Sequence, residues 1–151
     1  MPSLSISSPV GALTLEEEDG AIVAISWGKG GLSNGSPLLT EAARQLDAYF
    51  AGELTDFDLP LAPAGSRFEQ RVWAAMQTIP YGQTRSYGDL AGAIGSAPRA
   101  VGRACGKNPI PIVIPCHRVL ARAGLGGYSG EGGLVTKERL LALEGASRKA
   151  A

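Results

Sequence analysis

Three observations predict a small α/β domain (an antiparallel sheet plus one helix) followed by a mainly α domain built around a helix-turn-helix. Asp19-Gly20 stands between two apolar-rich segments and is a hairpin turn signal. The stretch from Leu59-Pro60 to Gly65 carries two prolines and a glycine and reads as a linker. Beyond it, two short helical patterns meet across a turn of one or two residues next to Gly95. The expected domains are therefore 1–63 and 66–151.

In the first domain, Leu4 and Ile6 alternate with serines, and Val10, Leu13 and Leu15 lead into the acidic run Glu16-Glu17-Glu18-Asp19. After Gly20 comes Ala-Ile-Val-Ala-Ile-Ser-Trp, so two or three antiparallel strands are expected before residue 28. The acidic run reads as a charged turn. Ser36-Pro37 predicts a helix start: serine caps the first turn and proline is tolerated there. Leu38, Leu39, Ala42, Leu46 and Phe50 supply its apolar face, and Gly52 its end.

In the second domain, Ser66-Arg-Phe-Glu69 is a capping box, followed by Phe68, Val72, Trp73 and Met76 on one helical face up to the Pro80-Tyr81-Gly82 turn. Ser86-Tyr-Gly-Asp89 is a looser form of the same box. It opens a short helix through Leu90, Ala91 and Ile94 that Gly95 stops, and a new helix runs from Pro98 to Gly106. Pro111 and Pro115 interrupt Ile110–Pro115, which therefore reads as a buried extended segment. A glycine-rich loop covers 124–133, and a final helix carries Leu134, Leu140, Leu141 and Leu143.

Fourteen bases and fourteen acids give zero net charge, which by itself argues against a nucleic-acid binder. The zero is unevenly built. Residues 1–66 hold two bases and nine acids, residues 67–122 eight bases and two acids, and residues 123–151 four bases and three acids. A charge split between parts of a chain points to a polyanion-binding part, or simply to an uneven solvated surface. No apolar run approaches the ~18 residues of a membrane span, and Met-Pro-Ser-Leu-Ser lacks signal-peptide character. The expectation is a soluble, cytoplasmic protein. Two cysteines and one histidine make neither a disulfide scaffold nor a good zinc set.

The 98–106 helix is nearly bald. Ala97, Ala100, Ala104, Gly102 and Gly106 leave Arg99, Arg103 and Lys107 as its long side chains. Such a helix either packs tightly on a neighbour or approaches DNA closely, as in the narrow minor groove. Pro115-Cys116-His117-Arg118-Val119 holds the remaining chemistry. A thiol beside a histidine is either an inert buried group or a nucleophile, and nearby cations or a base favour the reactive thiolate. On an extended strand Cys116 and His117 point to opposite faces, so a direct dyad there requires a turn or a bridging water.

Asn108-Pro-Ile-Pro-Ile-Val-Ile-Pro-Cys-His-Arg-Val119 closely resembles the active-site signature of the O6-alkylguanine-DNA alkyltransferases, also called methylated-DNA–protein-cysteine methyltransferases. The likeness runs from about Phe68 to Gly145 and includes Ser86-Tyr87, Arg99-Ala-Val-Gly102, Gly127-Tyr-Ser-Gly130 and Leu140-Leu-Ala-Leu-Glu-Gly145. It implies a ribonuclease-H-like first domain and a winged helix-turn-helix second domain. It also implies irreversible transfer of an alkyl group from O6 of a flipped-out guanine, and from O4-alkylthymine, to Cys116.

By the same resemblance, His117 would take the thiol proton through a water, Glu144 would orient His117, and Asn108 would brace the active-site turn. Tyr87 would crowd the target's 3′ phosphate and help protonate the departing base. Arg99 would fill the gap in the base stack, with Ala97, Ala100 and Arg103 on the same DNA-facing helix. Val119, Tyr128, Ser129 and Met76 would line the substrate pocket. The implied partner is double-stranded DNA with an alkylated guanine, bound through the minor groove by a monomer.

No cofactor is implied. Some relatives carry an N-terminal zinc site, but no Cys or His precedes residue 105, so no metal is expected. Glu131 departs from the all-glycine continuation of the loop and bears on which alkyl groups fit. Cys105 is expected to pack, although a Cys105–Cys116 disulfide is conceivable. The rival from a different class is a non-enzymatic lesion binder, which resembles this family but has another residue at the acceptor position.

Overall fold

The computed structural model describes residues 2–30, 35–121, 126 and 133–145. The chain divides into two units, Met1–Ala64 and Gly65–Ala151.

In the first unit, strands β1 (Ser3–Ile6), β2 (Leu13–Glu18) and β3 (Ala21–Trp27) form an antiparallel sheet in that order. Glu18 pairs with Ala21 across a two-residue turn in which Asp19 (φ 51) and Gly20 (φ 80) are both left-handed. That geometry matches the twist of the two strands and is the one Asp-Gly tolerates best. Helix α1 (Pro37–Phe50) starts where Ser36 accepts from the Leu39 amide. It buries Leu39, Ala42, Leu46 and Tyr49 in the same core as Leu13, Leu15, Ile22 and Ile25.

Two expectations need correcting here. Tyr49, not Phe50, is the fully buried aromatic at the end of α1; Phe50 is half-buried and meets Tyr49 edge-on. Gln45 joins the buried face because its amide donates to the Asp58 carbonyl while its oxygen accepts from the Asp58 amide. A buried side-chain amide satisfied on both sides is tolerated. The linker is likewise not free along its length: Ile22 donates to Pro60 and accepts from Ala62, so Leu61 bridges to β3.

The second unit opens with α2 (Arg67–Gln77), whose capping box is formed by Ser66 and Glu69 in both directions. Strand β4 (Arg85–Ser86) leads directly into α3 (Tyr87–Ile94), capped by the Ser86–Asp89 box and ended by Gly95 in the left-handed conformation. Helix α4 (Pro98–Gly106) follows after the tight turn. The core between them contains Val72, Trp73, Met76, Leu90, Ala91, Val101, Ala104 and Cys105, with the Trp73 indole donating to the Ala104 carbonyl at 2.9 Å. This arrangement buries one side of α4. Its other side, with Ala97, Arg99 and Arg103, is exposed.

Residues 110–115 are buried as expected, but they are not extended. The Ile114 amide donates to Ile110 and the Val113 amide to Pro111, closing a tight turn with Ile112 at φ 74. A β-branched residue there is strained, and the burial of Ile110, Ile112 and Ile114 offsets that strain. A one-turn 3-10 helix, Cys116–Arg118, comes next, then β5 (Val119–Leu120) pairs in parallel with β4.

Helix α5 (Leu134–Leu143) ends the described chain. Its inward face is Thr136, Lys137, Leu140 and Leu141, whereas Leu134 is 46% exposed.

Candidate active site

The catalytic candidates converge on the turn and 3-10 helix between α4 and β5. Asn108 pins that turn at two points: its Nδ2 donates to the Ile114 carbonyl at 2.8 Å and its Oδ1 accepts from the Ile110 amide at 2.9 Å. The Cys116 amide then donates to Ile114, and the Val119 amide to Cys116. The picture of Cys116 and His117 on opposite faces of a strand is therefore replaced. A 3-10 turn rotates successive side chains by about a third of a circle, so they leave in different but not opposite directions.

Cys116 is a free thiol, 7% exposed. Burial pushes its ionisation up, while a hydrogen bond from Asn108 and the charge of Lys137 pull it back. His117 is fully buried, and its Nε2 lies 2.7 Å from Glu144 Oε2. Its Nδ1 is buried with no hydrogen-bond partner among the described residues. Burial lowers its proton affinity, Glu144 raises it, and the Arg118 and Lys137 charges lower it again. The net shift is downward, so the ring is neutral at neutral pH and can accept a proton.

Glu144 is held from several directions. Arg118 Nε donates to Oε1 at 2.8 Å and Nη2 to Oε2 at 3.1 Å, while Nη1 donates to the Ile79 carbonyl at 2.7 Å. The guanidinium also sits 5.8 Å from the centre of the Tyr81 ring. Arg118 stands in the motif quoted from the sequence, but its role as the holder of Glu144 was not read there. Lys137 is a site residue that the sequence reading did not single out: it is fully buried, its Nζ donates to the Val119 carbonyl at 2.7 Å, and it lies 5.8 Å from the Tyr87 ring centre. For Lys137 the available signal was periodic, since it stands seven residues before Glu144, two helical turns along one face.

Tyr87 reaches this place because β4 pairs with β5, which sets the first residue of α3 beside the exit of the 3-10 turn. A side chain at Gly126 (φ 74) would come within 2.9 Å of the Tyr87 ring, so the loop backbone approaches closely there. Val119 is buried at the same exit. Met76 is fully buried against Cys105, whose Sγ is 3.4 Å from the Met76 sulfur. Burial, then the neighbouring Cys116, pushes the Cys105 thiol up to about 12, which agrees with packing rather than reactivity. Arg99, Arg103 and Ala97 are exposed on α4 and Ala100 is half-buried. Tyr128, Ser129 and Glu131 lie outside the described residues. Among the described residues, no cluster of His, Cys, Asp and Glu could hold a metal, and no helix is long and apolar enough to cross a membrane.

The neutral, buried His117 has a consequence for stability. In the unfolded chain it takes a proton near the ordinary value of 6.5, whereas the folded site resists protonation until lower pH. Its contribution is therefore complete above that value and is lost as pH falls toward the folded midpoint. Chemical denaturation at about pH 7.5 and about pH 5.5 is expected to show the wild type weakening on acidification. His117→Gln should show a smaller change between the two conditions; an equal change in both proteins would remove His117 as the cause.

Comparison with known proteins adds an independent line. Residues 4–63 match the family model for the ribonuclease-like domain of 6-O-methylguanine DNA methyltransferase, and residues 67–146 that for its DNA binding domain. A methylated-DNA–protein-cysteine methyltransferase of Mycolicibacterium paratuberculosis is 49% identical over 150 residues, covering 93% of this chain and 90% of that one. One from Methanosarcina acetivorans is 46% identical over 149 residues, covering 91% and 94%. The fold superposes on the Mycobacterium tuberculosis OGT crystal structure in complex with DNA with a TM-score of 0.87 and 46% identity, over 96% of this chain and 93% of that one. Two matched domains in the right order, on a chain with a buried Cys-His-Glu arrangement, make the assignment: this protein belongs to the 6-O-methylguanine DNA methyltransferase family.

Proposed function

We propose that this protein repairs DNA directly by moving the alkyl group of O6-alkylguanine, and of O4-alkylthymine, onto its own Cys116. The reading is carried by one observation: Cys116 opens a 3-10 turn whose next residue, His117, is held by Glu144 through Nε2 and keeps a buried Nδ1 with no hydrogen-bond partner among the described residues. An imidazole in that state is a base with one nitrogen committed to its orienting carboxylate and the other available.

In the reaction, Cys116 Sγ attacks the alkyl carbon in line with the C–O6 bond. The S–C bond forms, the C–O6 bond breaks, and its electron pair returns to the purine. The thiol proton passes through a water to His117 Nδ1, and Tyr87 supplies a proton to the departing base. The product is a thioether with no route back to thiol, so each molecule reacts once. Asn108 holds the turn in which this happens. The carbonyls of Cys116 and Val119 meet the exocyclic amine, and Val119, Met76, Tyr128 and Ser129 line the pocket.

DNA contact belongs to residues 66–151, through the exposed side of α4. The DNA-bound relative and the +6 charge of residues 67–122 support this. Ala97 and Ala100 allow a close approach in the minor groove, Arg103 meets phosphate, and Arg99 occupies the space left by the flipped base. The protein acts as a cytoplasmic monomer with access to the nucleoid. A lesion binder without transfer is disfavoured, because a thiol stands at the acceptor position.

The deciding experiment mixes the protein with duplex DNA containing O6-methylguanine and maps the methyl group by peptide mass spectrometry. One methyl on the Cys116 peptide is expected; tight binding with an unmodified Cys116 would establish the binder instead. Arg99→Ala separates flipping from chemistry. Extruding a base costs a few kcal/mol, so loss of the side chain should slow repair of duplex DNA by about ten- to a hundredfold while sparing reaction with free O6-benzylguanine. Equal losses on both substrates would take Arg99 out of the flipping role.

A further inference from the structure

Helix α4 and its C-cap carry a cation at each successive turn: Arg99, Arg103 and Lys107, about 6 Å apart along the axis. Between this row and the start of α2 lies an open groove of about 340 Å³. Ser66, Phe68 and Glu69 wall it on one side, and Ala100, Arg103 and Lys107 on the other. Ala100 and Arg103 also belong to the side of α4 assigned above to DNA, so the groove continues that side rather than standing apart from it.

Glu69 is the acidic residue in this lining, and its two oxygens are divided. Oε1 accepts from the Ser66 amide at 2.9 Å in the capping box, which fixes the carboxylate. The other, Oε2, faces Lys107 Nζ at 3.9 Å, with the Glu69 side chain 19% exposed and that of Lys107 72%. The pair thus couples a held anion to a lysine that stands in water. An ion pair so long and so open to solvent contributes little, and a stronger anion can take Lys107 from Glu69 without disturbing the fold. Arg103 has no ion pair or side-chain hydrogen bond among the described residues, so its charge is uncommitted.

We propose that this groove is a backbone-phosphate subsite for duplex DNA, in which Lys107 exchanges Glu69 for a phosphate next to the one that Arg103 meets. This deepens the reading of α4 as the DNA-contacting helix and rests on it. Charge complementarity and continuity with the exposed side of α4 select the phosphodiester backbone as occupant. Contacts to phosphate carry no base information, so the subsite adds affinity for any duplex and does not choose the lesion. Glu69 works the other way. It is displaced at each binding event, which holds down affinity for undamaged DNA and favours release from it.

The test is fluorescence anisotropy of a short duplex without a lesion, titrated with the full chain from about 0.05 to about 0.5 M salt. Each phosphate neutralised adds about 0.9 to the slope of log affinity against log salt. Lys107→Gln is therefore expected to lower the slope by about 0.9 and to weaken binding about three- to tenfold at about 0.1 M salt, with the difference closing as salt rises. Glu69→Gln removes the competing charge and keeps the capping box, where glutamine serves as well as glutamate. It should tighten binding about two- to fivefold, the range an exposed ion pair sets. Most of that gain should vanish when Lys107→Gln is added.

An unchanged slope in Lys107→Gln would overturn the subsite; methyl transfer to Cys116 from duplex DNA would then leave the repair reading standing without it. Weaker binding at every salt concentration with the wild-type slope would mark a structural effect and refute the subsite equally. A gain from Glu69→Gln that persists in full without Lys107 would refute the exchange and leave Glu69 as a plain repulsive charge. A wild type that binds no duplex at low salt would sink the DNA-contacting role of α4 and the subsite together.

Discussion

Cys116→Ser is expected to abolish methyl transfer from O6-methylguanine DNA, a loss of more than about a thousandfold, with no methyl recovered on residue 116. Removing a nucleophile outright costs on the order of 10⁶ in other enzymes that depend on one. The physical reason here is the difference between sulfur and oxygen. Burial holds the Cys116 thiol above its ordinary range and Asn108 and Lys137 offset part of that rise, but sulfur stays far more acidic than a hydroxyl and can pass its proton to a neighbouring base as it attacks. A serine hydroxyl in the same buried place has essentially no anionic form and is a poor nucleophile at alkyl carbon. Ser fits the site, so the variant should fold and bind duplex DNA as the wild type does. Transfer persisting in it would place the acceptor elsewhere; Cys105, the other thiol, would be examined first.

Arg118→Ala should produce the largest loss of stability, about 3–5 kcal/mol by chemical denaturation, the usual cost of breaking one side of a buried ion pair. The substitution strips Glu144 of two guanidinium hydrogen bonds and takes the donor from the Ile79 carbonyl. It also removes the cation over Tyr81. A functional signature accompanies this. The Arg118 charge disfavours protonation of His117, so without it Glu144 pulls a proton onto the ring more strongly. Transfer by the surviving folded protein should therefore fall off at a higher pH than in the wild type. A stability loss under about 1 kcal/mol would mean that the network relaxes around the missing side chain.

Some structural features were readable because their causes lie within a few residues. The boxes Ser66–Glu69 and Ser86–Asp89 close over three positions, and the Asp19-Gly20 turn needs only its own two residues. The small residues of α4 were legible too, but whether they pack or face outward was left open, and the structure buries Ala104 while exposing Ala97, Arg99 and Arg103. By contrast, nothing near residues 110–115 says that the segment folds back. One hydrogen bond donated and one accepted by the Asn108 side chain, with the burial of three isoleucines, hold Ile112 in a conformation its own preference opposes. Phe50 failed as a core residue for a related reason: helical spacing defines a face, but its neighbours decide where that face is covered.

The zero net charge shows the same division. Sequence by itself determined that an acidic stretch offsets a basic one, that the basic one carries the Cys-His-Arg motif, and where the helices begin. Those are properties of composition and of interactions a few residues long. The resemblance paired Glu144 with His117, but only the tertiary structure decided that Glu144, 26 residues beyond Arg118, is shared with Arg118, and that Lys137 lies buried against Val119. A charge can be kept away from water only where distant segments supply its partners, so folding, not local pattern, selected which of the basic residues became part of the site.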